Sequence, residues 1–132
     1  MATIPQTHAD LLTTRPSFAN LATLNADGSP QVTPVWVDYD GTHVIINTAQ
    51  GRMKAKNLAR EPRVALSIAD PDNPYRYLGI QGRVVEMTAA GGDAHIDKMA
   101  KKYLGKDTYP YRTPDEKRVI VKIAPDKVHT VG

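Results

Sequence analysis

The sequence predicts a mainly β fold, a small antiparallel β-barrel of six strands with a few short helices. Six apolar or alternating segments of strand length are separated by short turn signals such as "NADG" and "PDNP". Only a few segments have the length and composition of helices. The 132 residues, 41% of them hydrophobic and 23% charged, suit one globular unit, so we expect a single domain over residues 1–132.

The first predicted elements are a short helix and a β-hairpin. The segment "THADLLTTR" predicts the helix because Thr7 and Asp10 have capping-box spacing just before two leucines. Pro16 ends this helix. The strands "SFANLATL" and "SPQVTPVWVDYD" flank the turn "NADG", a pattern that is typical of a hairpin.

A third strand, "THVIINT", follows a turn at Asp40 and Gly41, so we expect the first three strands to form an antiparallel meander. Pro34 cannot donate a ladder hydrogen bond, and the second strand therefore lies at a sheet edge or is bulged there. Either arrangement lets something other than a neighbouring strand face this position.

The second half of the chain predicts two further helices and three strands. "GRMKAKNLARE" has good helix formers and stops before Pro62, after which "RVALSIAD" is a strand. The long strand "YRYLGIQGRVVEMT" contains Gly79 and Gly82, which suit bulges or close backbone approach. "GGDAHIDKMAKKYLG" predicts a helix with Asp93 as N-cap and Gly105 as C-cap, and "RVIVKIA" is the last strand.

Positive charge is concentrated in the segment "GRMKAKNLAREPRV", where Glu61 is the single acid beside five cations: Arg52, Lys54, Lys56, Arg60 and Arg63. Arg52 and Lys54 converge whether they open a helix or lie two apart on an extended chain, and both geometries suit an anion. The alternative is a solvated helix surface, with Arg63 paired to Glu61 and with Lys56 and Arg60 as plain surface.

Several kinds of site are absent from the sequence. The chain has no cysteine, which excludes disulfides, thiolate metal sites and cysteine nucleophiles. Its four histidines are scattered without ligand spacing, so no metal site is expected, and no glycine-rich phosphate loop or serine elbow occurs. The N-terminal segment lacks a signal-peptide pattern and no apolar run reaches membrane-spanning length, so we expect a cytoplasmic protein with no membrane partner.

Three motifs follow one another in a specific order: "LATLNADGSPQVTPVW", then "GRMKAKNL" with "EPRV", then "IQGRV". Their order and spacing resemble the pyridoxamine 5′-phosphate oxidase-like split β-barrel proteins, and most closely the deazaflavin (coenzyme F-420)-dependent branch. The resemblance covers nearly the whole chain. It implies an FMN-binding-like split β-barrel and a homodimer that holds its cofactor in a groove at the subunit interface.

The resemblance also implies the cofactor-binding positions. The ring would lie near Pro34, Val35 and Trp36, with Asn47 and Thr48 at the end of the third strand. The phosphate end would be held by Arg52, Lys54 and Asn57, with Gln81 as a further contact. Additional candidates are Lys56 and Arg83. Arg118, and Arg112 in the loop before the last strand, would approach from the other subunit. For Trp36 a place in the core or a dimer interface is an equal alternative.

The implied activity is hydride transfer from C5 of the reduced deazaflavin to a small unsaturated organic acceptor. No catalytic acid, base or nucleophile is predicted, because the cofactor would carry the chemistry. An FMN-binding oxidoreductase of the same fold and a non-catalytic deazaflavin carrier remain alternatives. The pI near 9.2 leaves binding of nucleic acid as a remote fourth alternative. We expect no nucleic-acid partner, because the sequence lacks aromatic RNA-binding motifs.

Overall fold

A computed structural model describes residues 1–132 as three helices and seven strands. The elements, in chain order, are α1 (Asp10–Thr13), β1 (Ala19–Leu24), β2 (Pro30–Val35), β3 (Asp38–Tyr39), β4 (Val44–Ala49), α2 (Met53–Arg60), β5 (Arg63–Asp70), β6 (Asn73–Thr88), α3 (Gly92–Leu104) and β7 (Arg118–Val131). None of the helices has the length and apolar character that crossing a membrane requires.

The seven strands form one curled antiparallel sheet in the order β2-β1-β5-β6-β7-β4-β3. This confirms the predicted mainly β, split-barrel fold. Strand β2 lies at one edge of the sheet, so Pro34 interrupts no ladder on its outer side, as its position in the sequence predicted. The longest pairing joins β6 to β7, and it contains register shifts at Gln81/Gly82 and Val84/Glu86.

The predicted second strand is broken in two, which gives seven strands instead of six. Trp36 and Val37 leave the ladder between β2 and β3. Side chains of α3 satisfy the backbone of Val37: its N–H donates to the Tyr103 hydroxyl over 3.0 Å, and its carbonyl accepts from Lys102 over 2.7 Å. A strand whose polar groups are bound by side chains needs no strand neighbour there.

Both hairpins of the predicted meander form, but the predicted second strand is split between them: its first part, β2, pairs with the first strand, and its last two residues, β3, pair with the third strand. Strands β1 and β2 pair as expected, but β4 pairs with β3 and β7 at the opposite end of the sheet. The break at Trp36 and Val37 carries the chain across. Strand β7 is also longer than predicted, because the tail beyond Ala124 continues to pair with β6 through Val131.

Two predicted caps are also wrong. The Asp10 carboxylate pairs with Arg76 and the Thr7 hydroxyl contacts His8, so no capping box forms at α1. Helix α3 begins two residues earlier than expected, with Gly91 as N-cap and Asp93 in the first turn. The predicted C-cap at Gly105 is confirmed, with φ of 69° in the left-handed region that glycine favours.

The core lies between the curled sheet and the short helices. It is a cluster of 18 buried apolar side chains that includes Leu11 and Leu12 of α1, Leu58 of α2 and the inward residues of β1, β4, β5, β6 and β7. Strand β4 is buried at five of its six positions, and only Asn47 is partly exposed. This strand therefore anchors the sheet and presents one polar side chain at its surface.

Gly82→Ala is expected to destabilise the fold by about 1–3 kcal/mol, the usual cost of overpacking. A Cβ at Gly82 would lie 2.5 Å from the carbonyl oxygen of Ala124 and 3.0 Å from Ile123. Urea denaturation measures the loss. Gly79→Ala in the same strand is the matched control, because its Cβ would meet nothing closer than 3.8 Å and its stability should stay near wild type.

Candidate functional site

A groove of about 180 Å³ brings together seven of the twelve residues predicted to bind a cofactor. It lies where the end of β2, the middle of β4, the start of α2 and the start of β7 meet. We call it the basic groove. It is lined by Phe18, Pro34, Val35, Trp36, Asn47, Arg52, Lys54, Ile96, Tyr109, Tyr111 and Arg118.

Three cations converge on the basic groove, with one carboxylate beside them. Arg52 is the N-cap of α2 and has an extended backbone, with φ of −73° and ψ of 153°. Its guanidinium lies 3.5 Å from Glu116, which also pairs closely with Arg118. Lys54, in the first turn of α2, has no ion-pair or hydrogen-bond partner. The groove thus holds a surplus of positive charge.

The excess of positive charge in the basic groove affects the pKa of Lys54. Partial burial lowers the pKa of its ammonium below the ordinary value of a lysine, and the charges of Arg52 and Arg118 lower it further. A like-charge cluster of this kind is electrostatically unfavourable unless an anion joins it. The start of α2 adds free backbone N–H groups of the same sign. The basic groove is therefore suited to a phosphate or carboxylate.

Aromatic rings form one wall of the basic groove. Trp36 stacks on Tyr103 with ring centroids 5.0 Å apart and an interplanar angle of 6°, and the edge of Tyr109 meets it at 6.0 Å. Tyr109 in turn packs edge-on against Tyr111 and lies under the Arg118 guanidinium at 4.8 Å. These contacts fix flat apolar surfaces next to the cations, an arrangement that fits a planar ligand with a charged tail.

A chain of polar side chains lies behind Asn47. Its Nδ2 donates to the Gly92 carbonyl over 2.9 Å and lies 3.1 Å from Nδ1 of His95. Nε2 of His95 lies 3.1 Å from the Asp38 carboxylate, which also accepts from Lys98 over 3.0 Å. Burial alone would raise the pKa of Asp38, but the hydrogen bonds from His95, the Tyr39 backbone and Lys98 hold it well below its usual value.

Three buried polar atoms of β4 and β7 have no hydrogen-bond partner: Asn47 Oδ1, Thr48 Oγ1 and Arg118 Nε. Asn47 and Arg118 both line the basic groove. Buried polar atoms are rarely left unpaired, and unpaired ones in a site mark positions where a ligand can complete the bonding. The groove therefore offers a free acceptor, Asn47 Oδ1, and a free donor, Arg118 Nε, beside an aromatic wall and a cluster of cations. This arrangement fits a flat heterocycle that carries a phosphate.

The other predicted residues lie outside the basic groove in this chain. Asn57 is fully buried under α2, where it donates to Thr23 and Asn25 over 3.0 Å each. Lys56 is exposed and borders a separate concavity of about 330 Å³. Gln81 lies on the outer face of β5, β6 and β7, and Arg83 pairs with Asp126 at 3.6 Å.

The remaining cations near α2 serve other purposes. Arg63 pairs with Glu61 at 2.8 Å, as the sequence predicted. Arg60 donates to the Leu24 carbonyl and, over 3.1 Å, to the Asn57 amide oxygen. Arg112 is held by Asp97 at 2.5 Å. The basic segment is therefore divided, and only Arg52 and Lys54 of its five cations reach the groove.

A wider concavity of about 590 Å³ runs along α3, but its polar side chains are already paired. Lys98 binds Asp38, Lys101 binds Asp107, and Lys102 donates to backbone carbonyls. No group of three or more His, Asp or Glu side chains is arranged to hold a metal ion. The basic groove, with its unpaired atoms, is the better candidate despite its smaller volume.

The residues that sequence reasoning missed include Phe18 and Ile96 in the groove lining, and His95 and Asp38 behind Asn47. Asp38 and His95 are 57 residues apart, so no local spacing announced their contact. Phe18 is more than half exposed, a property that only the structure reveals, so its place in the groove could not be read from the sequence.

Lys102 gives the fold an unusual pH dependence. Burial lowers its pKa to about 8, whereas the unfolded chain titrates near 10.5. Between these values the unfolded chain binds more protons, so the free energy of unfolding should rise by roughly 1–2 kcal/mol as pH increases, with the effect reduced by partial exposure. Chemical denaturation across this range measures it, and Lys102→Met should remove the slope.

Burial has the opposite consequence for the neighbouring tyrosine. It raises the pKa of Tyr103 to about 12 from an ordinary value of 10.0. Above about pH 10 the unfolded chain loses this proton while the folded chain keeps it, so stability falls again. We expect the free energy of unfolding to reach a maximum near pH 10 in the wild type and to show no such maximum in Lys102→Met. Identical curves for the two proteins would contradict the lowered pKa of Lys102.

Comparisons with known proteins identify the family to which this chain belongs. The model of the family described as "Pyridoxamine 5'-phosphate oxidase" matches residues 4–132. A solved structure named "F420 Reductase" is 34% identical, has a TM-score of 0.82, and is aligned over 96% of this chain and 98% of its own.

More distant structures share the fold. A conserved hypothetical protein from Mycobacterium tuberculosis is 24% identical with a TM-score of 0.68, over 99% of this chain and 88% of its own. A pyridoxamine 5′-phosphate oxidase homologue from Listeria innocua is 19% identical with a TM-score of 0.64, over 86% of both chains. At these identities the likeness concerns the fold alone.

Proposed function

Because the chain belongs to the pyridoxamine 5′-phosphate oxidase-like family, we propose that it is an oxidoreductase that binds the deazaflavin coenzyme F-420 in the basic groove. The acceptor is a small unsaturated organic molecule. Likeness to the structure named "F420 Reductase" at 34% identity supports the choice of cofactor. Residues 1–132 of each chain form a single domain.

One observation carries the proposal: Lys54 stands between Arg52 and Arg118 with no carboxylate of its own. The phosphate and the tail carboxylates of the coenzyme would supply the missing negative charge. Arg52 and Lys54 bind the phosphate, and Arg118 reaches the same ligand from the start of β7. Asn57 supports the phosphate site indirectly, because hydrogen bonds of its buried amide to Thr23 and Arg60 hold α2 in place.

The ring lies against Pro34, Val35 and Trp36 at the end of the edge strand. When bound, the reduced deazaflavin supplies a hydride at C5. The chain's own residues would position the cofactor ring, and the packed side chains of Trp36, Tyr109 and Tyr111 would limit the access of water to it. No side chain is required to act as nucleophile or base for this reaction.

We further propose that the working form is a homodimer. A volume of about 180 Å³ is small beside the 300–1,000 Å³ of typical ligand pockets, so one chain provides only part of the site. Gln81 and Arg83 lie on an outer sheet face with shallow concavities of about 420 and 390 Å³. A second copy packed on that face would extend the cofactor groove, as the motif positions of these two residues imply.

FMN is the second candidate cofactor. It has one phosphate and no oligoglutamate tail, and two or three cations suffice for it. The division of the basic segment, which leaves Lys56, Arg60 and Arg63 outside the groove, favours this alternative. A carrier of the deazaflavin without turnover would use the same contacts. The same division weakens the nucleic-acid reading, because the cations do not form one continuous stripe.

Calorimetric titration of the purified protein with coenzyme F-420 and with FMN tests the proposal. We expect coenzyme F-420 to bind at least tenfold more tightly, since its tail adds charge-assisted contacts. A protein that arrives from purification with the absorption spectrum of tightly held FMN would overturn the choice of deazaflavin. Oxidation of the reduced coenzyme by added unsaturated acceptors then separates an enzyme from a carrier.

A further inference from the structure

Asn47 is held in one orientation by two acceptors. Its Nδ2 donates to the Gly92 carbonyl oxygen over 2.9 Å, and the same nitrogen lies 3.1 Å from Nδ1 of His95. A backbone carbonyl can only accept, so the atom facing Gly92 must be the amide nitrogen. Turning the amide over would set Oδ1 against the Gly92 oxygen, two acceptors in contact. The position of Oδ1 is therefore determined.

The tautomer of His95 is determined in the same way. Its Nε2 lies 3.1 Å from the carboxylate of Asp38, which hydrogen bonds from the Tyr39 N–H and Lys98 keep ionised. An ionised carboxylate only accepts, so Nε2 carries the proton and Nδ1 of the neutral ring accepts from Asn47. Both His95 and Asp38 have side chains that are at least 90% buried. Asn47 thus donates to His95 and His95 donates to Asp38, so the hydrogen bonds run in one direction and end at the carboxylate.

At the other end of these hydrogen bonds, Oδ1 of Asn47 is buried and has no partner. Asn47 lines the basic groove between the cations and the aromatic wall. The two nitrogen contacts lie toward α3, so the oxygen is the atom of this amide left for a ligand. A buried acceptor with no partner favours a ligand that brings an N–H group to it and disfavours one that cannot.

We propose that His95 and Asp38 are positioning residues that hold Asn47 Oδ1 as an acceptor for the imide N–H of a bound heterocyclic ring. This inference rests on the proposed function, because the imide belongs to the pyrimidine part of a deazaflavin or flavin. It adds a specificity rule: the basic groove selects rings with a free N–H between two carbonyls and rejects their N-methylated forms.

The histidine tautomer is tested without any ligand. Long-range ¹H–¹⁵N correlation spectra of the ¹⁵N-labelled protein should show His95 as the Nε2–H tautomer at neutral pH. An Nδ1–H tautomer would overturn the proposal, because Nδ1 could then no longer accept from Asn47.

Ligand selection is tested by calorimetry with 5-deazariboflavin 5′-phosphate and its N3-methyl derivative. Wild type should prefer the free imide by about tenfold or more, the usual penalty for leaving a buried acceptor unpaired. His95→Ala should reduce that preference to below about threefold. His95→Gln should restore it, since glutamine offers one acceptor toward Asn47 and one donor toward Asp38. Lys101→Ala, on the exposed side of α3, should match wild type.

The outcomes separate the two proposals. If neither probe binds wild type, the proposed function fails, and this inference fails with it. If the parent probe binds but wild type does not discriminate, or if His95→Ala discriminates fully, only the role of His95 and Asn47 is wrong. Denaturation curves accompany each variant, and His95→Gln serves as the folded test case if His95→Ala is unstable.

Discussion

Replacing Arg52 and Lys54 together with alanine is expected to lower the affinity for coenzyme F-420 by about 100-fold or more. Each cation contributes a charge-assisted hydrogen bond to the phosphate or a tail carboxylate, roughly tenfold in affinity apiece. The loss should exceed the loss from either single substitution, because each single variant keeps one of the two charge-assisted contacts. Calorimetric titration at constant ionic strength measures it.

Lys56→Ala is the matched control for this experiment. Lys56 lies on the same helix and is exposed, but it is not part of the basic groove. Its removal changes the net charge by the same amount as one of the site substitutions, and the affinity should stay within about twofold, as expected for a screened surface charge. Equal losses in Lys56→Ala and Lys54→Ala would mean that only the overall charge matters, and the placement of the phosphate would be wrong.

A pH series sharpens the assignment of Lys54. Its pKa is lowered by burial and by two neighbouring guanidinium groups, so it loses its proton at a lower pH than an ordinary lysine does. An anion binds the protonated form, and affinity should therefore fall as pH rises through this lowered pKa. Lys54→Arg should bind without that decline, because a guanidinium stays charged throughout the range.

Asn57→Ala is expected to destabilise the fold by about 3 kcal/mol, the cost of several buried polar atoms losing their partners. The Asn57 side chain is wholly buried, donates to Thr23 and Asn25, and accepts from Arg60 over 3.1 Å. It joins α2 to the first hairpin. Urea denaturation should show the full loss, and the neighbouring Lys56→Ala should show almost none.

The same variant distinguishes two roles for this asparagine. If Asn57 supports the helix from beneath, coenzyme affinity measured well below the unfolding midpoint should change only a few fold. If Asn57→Ala keeps wild-type stability and loses affinity by an order of magnitude, the residue contacts the cofactor directly, and the arrangement of α2 must differ in the complex.

Local signals predicted the elements well, and long-range pairing was beyond them. The turn at residues 25–28, the stop of α2 before Pro62 and the left-handed Gly105 all depend on neighbours in the chain. The pairing of β4 with β7, in contrast, does not depend on neighbours in the chain. Whether β4 pairs with β2 or with β7 was decided by the interruption at Val37, whose backbone is bound by α3 side chains that lie 65 and 66 residues later.

The site was predictable in part for the same reason. Arg52 precedes α2 with an extended backbone, and both it and Lys54 reach the groove. Lys56 does not, because Lys54 and Lys56 are two apart within the helix and lie on different faces. A charge count along "GRMKAKNLAREPRV" cannot make that distinction. The motif resemblance supplied Pro34, Trp36 and Asn47, whereas the support behind Asn47 depends on packing of α3 against β3 and β4 and left no trace in local spacing.

Trp36 is the single tryptophan of the chain, and its indole stands in the wall of the basic groove, stacked on Tyr103. Its ultraviolet fluorescence therefore reports on one place in the protein. A coloured ligand lying against the indole would quench that emission, and no label would be needed to follow the titration. The protein thus carries its own optical sensor of occupancy, and rapid-mixing experiments can use it to time the arrival and departure of the ligand.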